Sequence, residues 1–144
     1  MTPKFIFLPV CTLVAFTFAV GLRLMQTRVG LLRRKRINAQ ELANGSKWDS
    51  ILADVENPAD AFENLFEVPV LFYMIILAVF TTGKVDYFYG VTAWIFVFFR
   101  ILQGVIHCSY NKVIHRAAMF WLGSAVLLVM WIRFAFVLCS DRSN

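Results

Sequence analysis

Charge is scarce in this chain. Asp, Glu, Lys and Arg together make up 16% of its 144 residues, against roughly a quarter in soluble domains. So few charges cannot clothe a soluble surface, and 60% of the residues are hydrophobic and 16% aromatic. That excludes an ordinary soluble domain and points to an integral membrane protein. Cysteine is also sparse: Cys11, Cys108 and Cys139 have no paired spacing, which excludes a disulfide framework. The two histidines, His107 and His115, stand eight residues apart across a predicted turn with no carboxylate fixed beside them, so no metal centre is expected. Glycine-rich phosphate loops and serine triads are absent. The net charge of +5 does not imply nucleic acid, because the basic residues cluster between apolar runs, where membrane orientation accounts for them.

What is there is one domain, residues 1–144, with four predicted spans. Residues 5–22 carry no charge, about 27 Å of helix, and with their flanks (5–26) can cross a hydrocarbon core of roughly 30 Å. The strong basic cluster follows this run instead of preceding it, which suits a retained signal anchor and not a cleaved leader. Residues 27–57 form a polar, basic cytoplasmic segment, in which the helix of span one is expected to continue past the membrane surface to about Arg36 and then yield to a loop through Asn44-Gly45-Ser46. Asn57-Pro58 then writes a helix start, with a capping side chain and a proline at the first helical position. Span two covers 59–82 and carries Glu63, Asn64 and Glu67 in its first half. Pro69 removes one of its backbone hydrogen bonds and invites a bend. The turn at 83–86 is too short for anything but a hairpin. Span three covers 87–110 and span four 117–138, with Arg133 near the far end of span four expected to snorkel to the surface. Counting Lys and Arg gives nine on the polar segment 23–57 and the last turn (Lys112, Arg116) against three (Lys4, Lys84, Arg142) on the other side. Both termini are therefore expected outside the cytoplasm. The fold class is all-α: an antiparallel bundle of four transmembrane helices.

Span three carries the pattern with chemical content. Arg100, Gln103, His107 and Asn111 recur at steps of three, four and four, one stripe of a helix turning about 100° per residue. Arg100 lies 13 residues after Tyr87, about 20 Å into the bilayer. An ionised arginine at such depth costs about 3 kcal/mol or more and must face protein. Glu67, entering from the other helix, is the expected ion-pair partner. Such pairs can serve assembly alone, but Asn64, Gln103, His107, Asn111 and Arg116 exceed what one pair needs, and a polar pocket in the cytoplasmic half accounts for them better.

The Asn64-x-x-Glu67 pattern, followed by hydrophobic residues and then by Arg100 and Arg116 sixteen apart around a polar helix end, resembles the MAPEG superfamily, the membrane-associated proteins of eicosanoid and glutathione metabolism. The similarity covers nearly the whole chain. FENLFEVPVLFY and HCSYNKVIHR look most like its bacterial and more divergent members, which implies a bacterial inner membrane. The resemblance implies a homotrimer with glutathione as co-substrate, bound between neighbouring subunits and open to the cytoplasm. Arg116 would stabilise the glutathione thiolate as the catalytic residue. Arg28, Asn64, Glu67, Arg100, His107 and Asn111 would hold the tripeptide. An apolar or lipid-derived electrophile would arrive from the bilayer.

The chain also departs from that family's pattern. Where catalytic members carry an arginine-rich motif before the span-two asparagine, it reads Asp60-Ala61-Phe62-Glu63. Where the prostaglandin synthase-like branch has a serine and a tyrosine after the thiolate arginine, it has Ala117 and Phe120, and the span-three tyrosine is His107. Specific prostaglandin or leukotriene synthesis is unsupported. Three classes stay open: a glutathione transferase or peroxidase, a non-catalytic lipid- or partner-binding member, and a transport or channel subunit.

Overall fold

A computed structural model describes residues 3–35, 56–108 and 112–141. A short 3-10 turn, Pro3–Ile6, leads into α1, Phe7–Lys35. Then come α2, Glu56–Thr81, α3, Tyr87–Cys108, and α4, Val113–Asp141. Among the described residues there is no strand. Most of the expected basic loop lies outside them.

Each helix is built by a stripe of apolar residues at helical spacing. On α2 the buried positions are Phe72, Ile75, Ile76 and Val79; on α3 they are Tyr89, Ala93, Phe96 and Val97; on α4 they are Leu127, Met130 and Phe134; on α1 they include Leu13 and Val20. These stripes meet in one core, with the Phe72 and Phe96 rings stacked at 4.6 Å between α2 and α3. The most extensive packing joins α3 to α4, while α1 leans on α2 and α3. The outer faces stay apolar, with Phe18, Phe98, Trp121 and Phe136 exposed, as a lipid-facing surface requires.

Lys4–Thr27, Tyr87–Ile106 and Ile114–Ser140 are long and apolar enough to cross a membrane; in α2 the apolar stretch is the shorter Glu67–Thr81. Hydroxyls within these helices are satisfied locally: Thr17 donates to the Leu13 carbonyl at 2.9 Å and Thr92 to Phe88 at 2.7 Å, the arrangement that lets a hydroxyl sit on a helix in lipid. Pro69 lies inside α2, which continues through it.

The hairpin between α2 and α3 is closed by backbone geometry. Gly83 takes a φ of 68°, a region open to glycine without a Cβ clash. From there Gly83 N–H bonds Phe80 O at 3.1 Å and Lys84 N–H bonds Val79 O at 3.0 Å, the double bond set that ends a helix on a left-handed residue. Asp86 then caps α3, its Oδ1 accepting the Tyr89 amide at 3.1 Å. The tight hairpin expected at 83–86 is thus found, with its cap supplied by Asp86.

Candidate functional site

The seam between α3 and α4 carries two arginines with aromatic surroundings. Arg133, from α4, grips Asp86 at the start of α3. Its Nη1 donates to Oδ1 at 3.1 Å and its Nη2 makes a second, shorter bond to Oδ2. Its guanidinium carbon also stands 4.2 Å from the centre of the Phe88 ring and 4.9 Å from that of Tyr89. Arg133, expected to snorkel to the surface, is 35% exposed there and finds the Asp86 carboxylate as its partner. Asp86 is 47 residues away in sequence, so nothing local to Arg133 announces it.

Arg100, from α3, is the other. It is 1% exposed, in line with the apolar stripe that begins at Tyr89, and Gln103 on the next turn is 5% exposed. Nη1 donates to Gln103 Oε1 at 2.8 Å, and Nη2 makes a longer contact of 3.5 Å to Ser124 Oγ on α4. The Ser124 hydroxyl spends its own hydrogen on the Phe120 carbonyl at 2.8 Å, leaving its oxygen to accept. The guanidinium carbon is 5.2 Å from the Phe96 ring centre and 4.9 Å from that of Phe120. Nε is buried without a hydrogen-bond partner. It faces Gly123, where an added Cβ would stand 3.9 Å from it.

Among the described residues, every group bonded to or stacked on Arg100 is therefore neutral. The rings contribute about 0.5–2 kcal/mol each and a hydrogen bond from a charged group about 1.5–3 kcal/mol. Together these offset much of the several kcal/mol that burying an ion costs, but they hold the charge without cancelling it. The expected direct pair with Glu67 does not form among the described residues. Glu67 is exposed, and its carboxylate reaches Arg100 only through space. The expectation rested on depth, which the two residues share; the guanidinium instead found an acceptor one turn away on its own helix.

Arg116 is half-buried in the first turn of α4. That helix begins before the expected span, so Arg116 lies within it, its amide bonded to Lys112 O at 3.1 Å. Arg116, Phe120 and Ser124 recur at steps of four along α4, and the last two touch Arg100. Arg116 thus shares the strip of α4 that packs on Arg100, about 12 Å nearer the turn than Ser124. Of the other expected site residues, Arg28 lies on α1, Asn64 on α2 and His107 on α3. Their side chains, and Asn111 altogether, lie outside the described residues. Ser124, Phe120 and Gly123 were missed. The signal for the first two was the step of four from Arg116, which the sequence carries but which gains meaning only once α4 is known to face Arg100.

A seam with two arginines, an exposed carboxylate on the neighbouring helix and apolar outer walls can hold a small, mainly anionic molecule at the edge of a bilayer. No curated protein and no solved structure matches the chain. A family model does match it, that of the MAPEG family, over residues 6–136, which takes in the bundle from the start of α1 almost to the end of α4, and the chain belongs to that family of integral membrane proteins.

Proposed function

We propose that the protein is a membrane-bound, glutathione-dependent transferase or peroxidase that conjugates or reduces apolar electrophiles, with Arg116 stabilising the glutathione thiolate. The MAPEG family is associated with glutathione and eicosanoid metabolism in membranes. The observation that carries the reading for this chain is Arg100, buried on the same seam as Arg116 and held, among the described residues, by neutral groups alone. At an effective dielectric of about 20, a negative charge about 10 Å from it gains about 1.7 kcal/mol. Glutathione brings two carboxylates and one ammonium. The arginines suit the former, and Glu67, not consumed by a direct bond to Arg100, suits the latter.

A free thiol has a pKa near 8.5, and lowering it by about two units requires about 2.7 kcal/mol of preference for the thiolate. Arg116, with the Arg100 charge behind it, is suited to supply that. The thiolate sulfur then attacks the electrophile, forming a thioether as a leaving group is expelled or as the adduct takes up a proton; from a hydroperoxide it takes the terminal oxygen, releasing the alcohol and leaving a sulfenic acid that a second glutathione thiol converts to the disulfide and water. Asn64, Arg28, His107 and Asn111 are assigned to holding the tripeptide. The site faces the cytoplasm, both termini lie on the other side, and three copies assemble so that neighbouring subunits close each site.

The test is the ultraviolet absorbance of thiolate on adding glutathione to the purified protein. We expect it in the wild type and its loss in Arg116→Ala. No signal in the wild type sinks the reading. It would favour a non-catalytic member that binds a lipid or protein partner, a reading supported by the acidic Asp60 and Glu63 ahead of Asn64 and by Phe120, whose ring is taken up against Arg100.

A further inference from the structure

A buried cation ordinarily finds a carboxylate. At Arg100 the place where one would stand is occupied by Gln103, whose Oε1 accepts from Nη1 at 2.8 Å. Glutamate has almost the same size and shape, could put an oxygen at the same point, and would turn this contact into an ion pair. Ser124, at the other amino group, is neutral as well, and so are the Phe96 and Phe120 rings. Among the described residues, the guanidinium is held on four sides by neutral groups that leave its charge intact.

We infer that Gln103 is a positioning residue that keeps the Arg100 charge unpaired, so that its field reaches an anionic ligand at the Arg116 end of the α3–α4 seam. Arg100 itself, 1% exposed within the subunit, acts on that ligand through space and not by contact. The ligand class is that of the function proposed above, on which this inference rests: a thiol peptide bound with its sulfur ionised and its carboxylates charged.

A merely structural Gln103 makes a different forecast. If its task were to satisfy a buried donor, glutamate would serve at least as well, and ligand affinity would not move. If it unpairs the charge, Gln103→Glu stabilises the fold while weakening the ligand, because the new ion pair removes the field. The measurement is made on the full chain in detergent or nanodiscs: the melting temperature without ligand, and the glutathione Kd by titration. We expect Gln103→Glu to melt at or above the wild type and to bind glutathione at least about tenfold more weakly, a tenfold change being about 1.4 kcal/mol. Ser124→Asp brings a carboxylate to the guanidinium from α4, and the same pair of outcomes is expected of it should the first variant fail to fold. Unchanged affinity in these variants, or affinity and melting temperature falling together, overturns the role assigned to Gln103 while leaving the glutathione reading in place. A wild type that binds no glutathione overturns both.

Discussion

Two arginines tie α3 to α4, one contributed by each helix, and they are solved in opposite ways. Arg133 stands where the seam meets the surface, lies across the Phe88 and Tyr89 rings, and holds the Asp86 carboxylate with both amino groups. Arg100 stands in the sealed part, lies between the Phe96 and Phe120 rings, and has an amide and a hydroxyl where the other has a carboxylate. The burial costs run the other way: a charge that is 35% exposed has its counterion, and one that is 1% exposed has none in contact among the described residues. If stability alone had placed these residues, the carboxylate would sit at Arg100, where an unpaired charge is most expensive. The difference separates a fastening from a site.

Neutralising each arginine in turn should break the molecule in different respects. Arg100→Met removes a buried charge and fills much of its volume. We expect glutathione affinity to fall at least about tenfold, while stability stays within about 2 kcal/mol of the wild type, because the lost hydrogen bonds are offset by the desolvation no longer suffered. Titration and thermal melting in the same detergent check both halves. Were the variant to bind normally, the sealed end would be no more than a second fastening.

Arg133→Met should do the reverse. It leaves Asp86 without its partner and the Phe88 and Tyr89 rings without their cation. The pair is partly exposed, so the loss is about 1–2 kcal/mol, summing a surface ion pair and two cation–π contacts. Glutathione affinity should not change, since Arg133 lies toward the far end of α4 from Arg116. A drop in affinity comparable to that of Arg100→Met would erase the contrast.

The contrast also explains what could be read from the sequence. The helices were legible because long apolar runs, one basic loop and a glycine turn each have local causes, and the stripe of Arg100 and Gln103 follows from helical spacing alone. The partners were not. Depth suggested Glu67 for Arg100, but depth fixes only a level, not an azimuth. The azimuth is set by how α4 packs on α3 and by Gln103 standing one turn away. Arg133 looked like a residue reaching for water because its carboxylate is contributed by the cap of another helix. Which of two buried-looking charges receives a counterion is decided by the packing of α3 on α4, and no periodicity encodes that.

A smaller effect is expected from closing the sealed end further. Gly104 follows Gln103 on α3, and a Cβ there would come within 2.8 Å of the Phe16 ring of α1. Gly104→Ala must push that ring aside. Overpacking of this kind costs about 1–3 kcal/mol, and alanine recovers up to about 1 kcal/mol in a helix. A net loss of about 1 kcal/mol in a melting experiment is the expected result. No loss at all would mean that α1 does not seal the Arg100 end as closely as the packing implies.

The smallest effect belongs to the fastening and is lost only in acid. Partial burial by itself would raise the pKa of Asp86, but the hydrogen bonds from Arg133 and from the Tyr89 amide, with the nearby positive charge, outweigh it and hold the carboxyl below its usual range. A carboxylate depressed in the folded protein contributes stability that is fully present above its unfolded value, near 3.9, and is lost as the pH falls through the lower, folded one. The Asp86 side chain is 40% exposed, so solvent screening limits the contribution to less than about 1 kcal/mol. Wild type should therefore melt above Asp86→Asn by a small, constant margin from neutral pH down to about 4, below which the wild type loses its advantage and the two curves converge. At the sealed end no carboxylate touches Arg100 among the described residues, so Arg100→Met should keep the wild-type acid profile. An Arg100→Met protein whose acid profile changed as that of Asp86→Asn does would reveal a counterion at the buried arginine and remove the distinction between the two ends.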